Sequence, residues 1–301
     1  MLRNQRQKIV VIVGPTASGK SDLGIFLAQK FGGEIISADS RQVYQGMDIG
    51  TGKITKKEQL LVKHHLLDVA NPKRVFTVSD FKKLGQKAIN DVRRRYKVPF
   101  VVGGTGFYID TLVKDSSLPE VPPDKKLRAK LAKQSAERLF SDLLALDPRR
   151  AKTIDPKNKI RLIRALEIIK TTGKPVPALK ESPKYKILYI GIKPSKSTLE
   201  NRIKLRLEKR LRAGMIKEVK NLLKSGVSRK RLHDFGLEYH WVGDYLNNKI
   251  TRQEMEAGLL RDIIKYSKRQ MTWFKRNKKI HWIKNQKEAE KLVKKFISPL
   301  P

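Results

Sequence analysis

Cysteine is absent from this sequence of 301 residues, so no disulfide, thiolate metal ligand or cysteine nucleophile is available to it. That composition suits the cytoplasm, which is the expected location. No apolar run approaches the ~18 residues a membrane-spanning helix needs, so no membrane partner is expected. The basic start leads straight into an apolar strand pattern and reads as part of the fold rather than as a cleaved leader. Aromatic residues make up only 7% of the chain, and acidic residues are outnumbered: 29 Asp+Glu face 67 Lys+Arg, a formal net charge of +38. Such a field repels itself and is more than a small-metabolite enzyme needs. It suits a polyanion, because each phosphate contact releases counterions. The alternative is a generally basic proteome or high intracellular salt; nucleic acid is the favoured reading.

What is present starts with Gly14-Pro15-Thr16-Ala17-Ser18-Gly19-Lys20-Ser21, directly after the apolar run Ile9 to Val13 and before a helical stretch, Asp22 to Lys30. Strand, G-x-x-x-x-G-K-S and helix together form a phosphate-binding loop in its required context. The glycines let consecutive N–H groups and the helix N-terminus face an anion, Lys20 can reach a terminal phosphate, and the Ser21 hydroxyl can join a Mg²⁺ shell.

A second short strand, Glu34 to Ala38, ends in Asp39-Ser40-Arg41-Gln42. In an open α/β sheet the carboxyl ends of the strands form the ligand crevice, which puts Asp39 beside the loop. A carboxylate there holds metal or acts as a general base, or else caps a turn. His64 to Val69 reads as a further strand, with packing or hydrogen bonding preferred to metal for its His pair. Val78 to Tyr96 reads as a helix. Val98 to Val102 is a buried-type strand running into Gly103-Gly104-Thr105-Gly106, where a motor or GTPase commonly ends in a metal-binding Asp. Those glycines either admit a ligand or RNA backbone, or simply turn the chain.

Composition shifts at Leu118 to Pro123, and a charged helical stretch follows. In the helix around 159–169, Ile160, Ile163, Leu166 and Ile169 form an apolar stripe, with Lys159, Arg161 and Arg164 facing elsewhere. Tyr185 to Ile192 returns to strand character. A basic helix over 197–214 buries Leu199, Ile203, Leu207 and Leu211. Tyr266 to Lys275 interleaves aromatics with cations, either for RNA stacking or as a buried helix anchor. His281 to Ile283 reads as a last strand. The fold class is α/β: a P-loop NTPase-like parallel sheet core (1–117 and 185–301, the latter with C-terminal helices) and an inserted helical lobe (118–184).

Taken in order, GPTASGKS, ISADSRQVYQGMDIGTGK, HHLLDV, VVGGTGFYI, RLIRALEI and YSKRQMTWFK resemble the tRNA dimethylallyltransferase (IPP transferase) family. The resemblance implies that Gly14 to Ser21 (Gly14, Pro15, Thr16, Ala17, Ser18, Gly19, Lys20 and Ser21) hold the diphosphate of dimethylallyl diphosphate, with Ser21 on Mg²⁺. It implies Asp39 as the general base for adenine N6, with Lys20, Thr105 and Arg206 completing the catalytic set. The tRNA contacts it implies are Asp39, Ser40, Arg41, Gln42 and Thr105, and in the lobe, called tRNA-contacting for this reason, Lys159, Ile160, Arg161, Leu162 and Ile163. The product would be N6-(dimethylallyl)adenosine, 3′ of the anticodon in tRNAs reading UNN codons, made by a monomer. An adenylate isopentenyltransferase acting on free AMP and an ATP-dependent P-loop kinase are the rivals. One departure stands out: Phe235-Gly236-Leu237-Glu238-Tyr239 occupies the place of the family's Gly-Tyr-Lys-Glu element.

Overall fold

The computed structural model describes residues 7–178, 181, 182 and 184–298. The chain separates into two compact units, one made of residues 1–115 with 183–301 and the other of residues 116–182.

The larger unit is built on a six-stranded sheet, all pairs parallel, ordered β3-β2-β4-β1-β5-β6. Its strands are β1 (Gln7–Val13), β2 (Gly33–Ser37), β3 (His64–His65), β4 (Val98–Gly103), β5 (Tyr185–Ile192) and β6 (Ile280–Ile283). A strand covered on both faces reads as a continuous apolar run, which is why β1 is KIVVIV rather than an alternating pattern. Its residues divide by parity: Ile9, Val11 and Val13 join one core cluster, Val10 and Ile12 the other. Helices α1 (Lys20–Lys30) and α2 (Lys56–Leu61) precede α3 (Val78–Arg94) and α4 (Gly106–Val113). α3 and α4 cover the face of Ile9 and Val11, through Phe81, Ile89 and Leu112. α1 covers the opposite face.

The smaller unit holds α5 (Lys125–Ala132), α6 (Ala136–Leu146), α7 (Pro148–Ala151) and α8 (Lys159–Thr172). Its core is Leu131, Leu139, Leu143, Leu162, Leu166 and Ile169. The chain then returns to the larger unit with α9 (Lys196–Arg212), α10 (Met215–Lys224), α11 (Arg229–Phe235), α12 (Leu237–Tyr245), α13 (Arg252–Phe274) and α14 (Gln286–Ile297). α9, α10, α12 and α13 enclose a third apolar cluster around Met47, Ile203, Val219, Tyr239 and Leu259. No helix among the described residues is long and apolar enough to cross a membrane.

Three expectations need correction. The strand at His64 stops after two residues, because Leu66 and Asp68 take left-handed backbone (φ 63° and 57°) that cannot continue a ladder. On α8 Ile163, Leu166 and Ile169 pack on the core as expected, but Ile160 is 82% exposed, while Leu162, at 0%, is a core residue. The Leu162 side chain therefore packs in the core of the smaller unit. In α9 the buried stripe is Leu199, Ile203 and Leu207, with Leu211 only partly buried.

Each unit also carries a buried carboxylate. Glu34 on β2 is 1% exposed and accepts from Arg95 Nη2 and His65 Nε2, both at 2.7 Å. Glu167 on α8 is fully buried and is gripped by Arg128 Nε (2.7 Å), Arg164 Nη1 (2.6 Å) and the Asp124 N–H (2.8 Å). Burial alone would raise their pKa values. The cations and N–H groups around them outweigh it and hold both at about 2. A depressed carboxylate contributes stability in full above its ordinary pKa, and loses it as pH falls toward the folded value. Thermal stability is thus expected to fall progressively from pH 4.5 toward pH 2. Glu34→Gln should flatten part of that slope at a cost of about 3 kcal/mol at neutral pH, measurable by calorimetry across the range.

Candidate active site

The loop between β1 and α1 turns as its glycines require. A Cβ on Gly14 would lie 2.6 Å from Ser18 Oγ and 3.0 Å from the Ile192 carbonyl, so only glycine fits there. Gly19 caps α1 in the left-handed region (φ 88°) with no side-chain cap bond. The first N–H groups of the helix therefore keep their capacity for an anion. Ser18 is 3% exposed, and its hydroxyl has no partner among the described residues.

This loop forms one wall of a cleft of about 1130 Å³, which also takes in Asp39, Gln42, Arg206, Arg210, Tyr266 and Gln270. Its electrostatics are one-sided. Among the described residues Lys20 Nζ has only a neutral bond, to the Pro15 carbonyl at 3.2 Å. Burial, then the nearby Arg206 and Arg210, pull Lys20 down to about 8 against the opposing influence of Asp39 and Asp22. Burial and Arg210 likewise bring Arg206 down to about 10. Cations held close together in a desolvated site favour a multiply charged anion.

A second part of the cleft lining comes from the ends of β2 and β4. Asp39 Oδ1 accepts from the N–H groups of Arg41 (2.9 Å) and Gln42 (3.3 Å). This is the turn-capping role of an Asp, and it holds the carboxylate in a fixed place at the cleft. Thr105 Oγ1 accepts from the Ser40 N–H at 3.1 Å, joining the Asp39 turn to the glycine turn after β4. Gln42 Nε2 donates to the Gly52 carbonyl at 3.1 Å. Arg41 Nε donates to the Phe235 carbonyl at 3.0 Å, and its guanidinium sits 5.5 Å from the Tyr266 ring centre.

Thus Thr16 to Ser21, Asp39 to Gln42 and Arg206 meet around one cleft, with Thr105 joined to its wall through Ser40. Lys159, Ile160, Arg161 and Ile163 lie in the smaller unit, where Ile160 and Arg161 are exposed.

Several residues of the site went unremarked in the sequence. Gln270 on α13 accepts from the Thr16 N–H (2.8 Å) and donates to the Gly104 carbonyl (3.0 Å), clamping the phosphate loop to the glycine turn. Glu218 on α10 accepts from the N–H groups of Asp48, Ile49 and Gly50 at 2.8, 2.6 and 3.0 Å, fixing the loop that ends at Gly52. Glu238, in the element that departs from the family pattern, pairs with Arg210 (3.1 Å) and Arg41 (3.6 Å). Only Arg210 carried a local signal, four residues after Arg206 on the same helical face.

The parallel sheet, the glycine loop after its β1 strand and the cleft beside it together define a P-loop NTPase-like fold with one cationic cleft. Residues 42–277 match the IPP transferase family model, and the chain belongs to that family. A tRNA dimethylallyltransferase from Pelotomaculum thermopropionicum is 40% identical over 294 residues, spanning 95% of this chain and 94% of that protein. The crystal structure of the full-length tRNA isopentenylpyrophosphate transferase from Bacillus halodurans superposes with a TM-score of 0.73 at 35% identity, covering 97% and 96% of the two chains. A eukaryotic dimethylallyltransferase captured acting on tRNA gives 0.76 at 27% identity, over 89% of this chain and 70% of that one.

Two outcomes follow. Inorganic diphosphate should bind progressively more weakly as pH rises from 7 through 8 to 9.5, because Lys20 loses its proton through about 8 and the anion prefers the charged form; titration calorimetry over that range reads this directly. Gln270→Ala should remove the clamp and weaken diphosphate binding by about 3- to 10-fold, the scale of one or two neutral hydrogen bonds.

Proposed function

We propose that this chain transfers the dimethylallyl group of dimethylallyl diphosphate to N6 of the adenosine immediately 3′ of the anticodon, position 37, in tRNAs reading UNN codons. The observation that carries this reading is the pairing of an anion-seeking wall, Lys20 and Arg206 at the phosphate loop, with a fixed carboxylate, Asp39, across the same cleft. The relatives' names and the net charge of +38 support a tRNA acceptor, reached in the cytoplasm.

The chemistry requires both walls. The N6 lone pair forms a bond to the allylic carbon as the carbon–oxygen bond to diphosphate breaks, and the electron pair leaves on the diphosphate. Negative charge grows on that leaving group, and preorganised N–H groups with Lys20 and Arg206 stabilise it. The exocyclic amine is a weak nucleophile and sheds a proton as its bond forms. Asp39, its Oδ1 held by two N–H groups, is the acceptor. Thr105 and Ser40, bonded to each other, fix the turn on which Asp39 sits. The target base has to leave the loop stack, at a cost that is least in a single-stranded anticodon loop. Lys159 and Arg161 in the smaller unit are the cations that would contact tRNA phosphates.

The donor set at the loop is hard oxygen, from Ser21 and the diphosphate itself, which fits Mg²⁺ held through few protein ligands. Bound there, the ion would screen the diphosphate charge.

The reading is tested by offering labelled dimethylallyl diphosphate to an anticodon stem-loop carrying A37, to its A37→G counterpart, and to AMP. Label should reach only the adenosine-bearing stem-loop and fall steeply with salt. Asp39→Ala should lower transfer about 10²- to 10⁴-fold while diphosphate affinity stays within about 2-fold. Label on AMP would instead identify a nucleotide prenyltransferase, and ATP turnover without transfer would identify a kinase.

A further inference from the structure

We propose that Arg210, steadied by Glu238, is a second guanidinium for the donor's diphosphate. On this view Arg206 and Arg210 form a two-pronged clamp on the anion beside the phosphate loop. The inference rests on the reading of the cleft as a diphosphate site.

Arg206 and Arg210 are four residues apart on α9 and so share a face. The Nη2 atoms of both crowd the place a Cβ would occupy on Gly52, whose left-handed backbone (φ 60°) brings the chain against them. Two guanidinium tips therefore meet at one point of the cleft wall, and Arg210 adds to the downward pull on both Arg206 and Lys20.

The bonding of Arg210 is incomplete. Its side chain is 11% exposed, and Nη1 donates to Glu238 Oε1 at 3.1 Å. Nη2 is buried and has no hydrogen-bond partner among the described residues. A buried donor left without an acceptor is costly, and more so on a cation. Were Arg210 present only to neutralise Glu238, one nitrogen would suffice, and Glu238 is already shared with Arg41. The single carboxylate thus orients the guanidinium through Nη1 and leaves the donor capacity of Nη2 unfilled on a side chain that lines the cleft, capacity that a phosphate oxygen can take up.

The test is titration of inorganic diphosphate and of inorganic monophosphate into the full chain and three variants: Arg210→Met, Arg210→Met with Glu238→Gln, and Arg206→Met as a control. Arg210→Met should weaken diphosphate binding about 10- to 100-fold, with a smaller loss for monophosphate, which the loop alone accommodates. It should also lower Tm, because Glu238 loses its closest cation. The double variant separates the two roles: Tm should recover, since no unpaired carboxylate remains, while diphosphate affinity should not. Wild-type affinity in Arg210→Met, or affinity that returns with Tm in the double variant, would reduce Arg210 to a structural counter-ion. Failure of the wild type to transfer a prenyl group, with diphosphate binding still dependent on Arg210, would overturn the proposed reaction and leave the clamp standing.

Discussion

The site depends on three strand ends being laced to one another by backbone. The Ala38 N–H donates to the Val102 carbonyl at 2.8 Å, and the Thr105 N–H returns to the Ala38 carbonyl at 3.2 Å. Gly103 makes this possible, because any Cβ there would overlap the Ala38 carbonyl. The end of β1 joins through Gln270, which holds the Thr16 N–H with one end of its amide and the Gly104 carbonyl with the other. Phosphate loop, carboxylate turn and glycine turn are thereby fixed relative to one another before any ligand arrives. Preorganisation of this kind removes a reorganisation cost from the transition state.

On this frame the charge distribution becomes intelligible. The cleft gathers Lys20, Arg206 and Arg210 with too little carboxylate to balance them, and burial sharpens the imbalance. A structural ion-pair network looks different, and this chain contains two for comparison. Around Glu34 and Glu167 several cations converge on one buried acid and are satisfied by it. The cleft reverses that ratio, and the reversal points to an anion that arrives from outside.

Much of the frame was legible in the sequence because it is carried by local signals. A continuous apolar run, a glycine-spaced loop and a helix start locate β1, the phosphate loop and α1 without reference to anything distant. Periodicity located α3 and α9 in the same way. It failed in part at α8, where Ile163, Leu166 and Ile169 pack on the core as the stripe required, but Leu162 and Ala165 join them in place of Ile160. Ile160 is left exposed. It failed also at His64 to Val69, whose composition reads as strand while its backbone turns left-handed at Leu66 and Asp68.

Local pattern alone located the available chemistry: which strand carries the phosphate loop, that Lys20, Asp39 and Thr105 follow strand ends, and that the chain carries a net charge of +38. Those are properties of residue type and near spacing. Only the tertiary structure decided who meets whom across long separations. Gln270 reaches Thr16 over 254 residues, Glu218 fixes the loop at Asp48 over 170, and Glu238 is bonded by Arg210 and paired with Arg41. Such partners leave no trace in local pattern, because a hydrogen bond is chosen by where the folded backbone places its two ends.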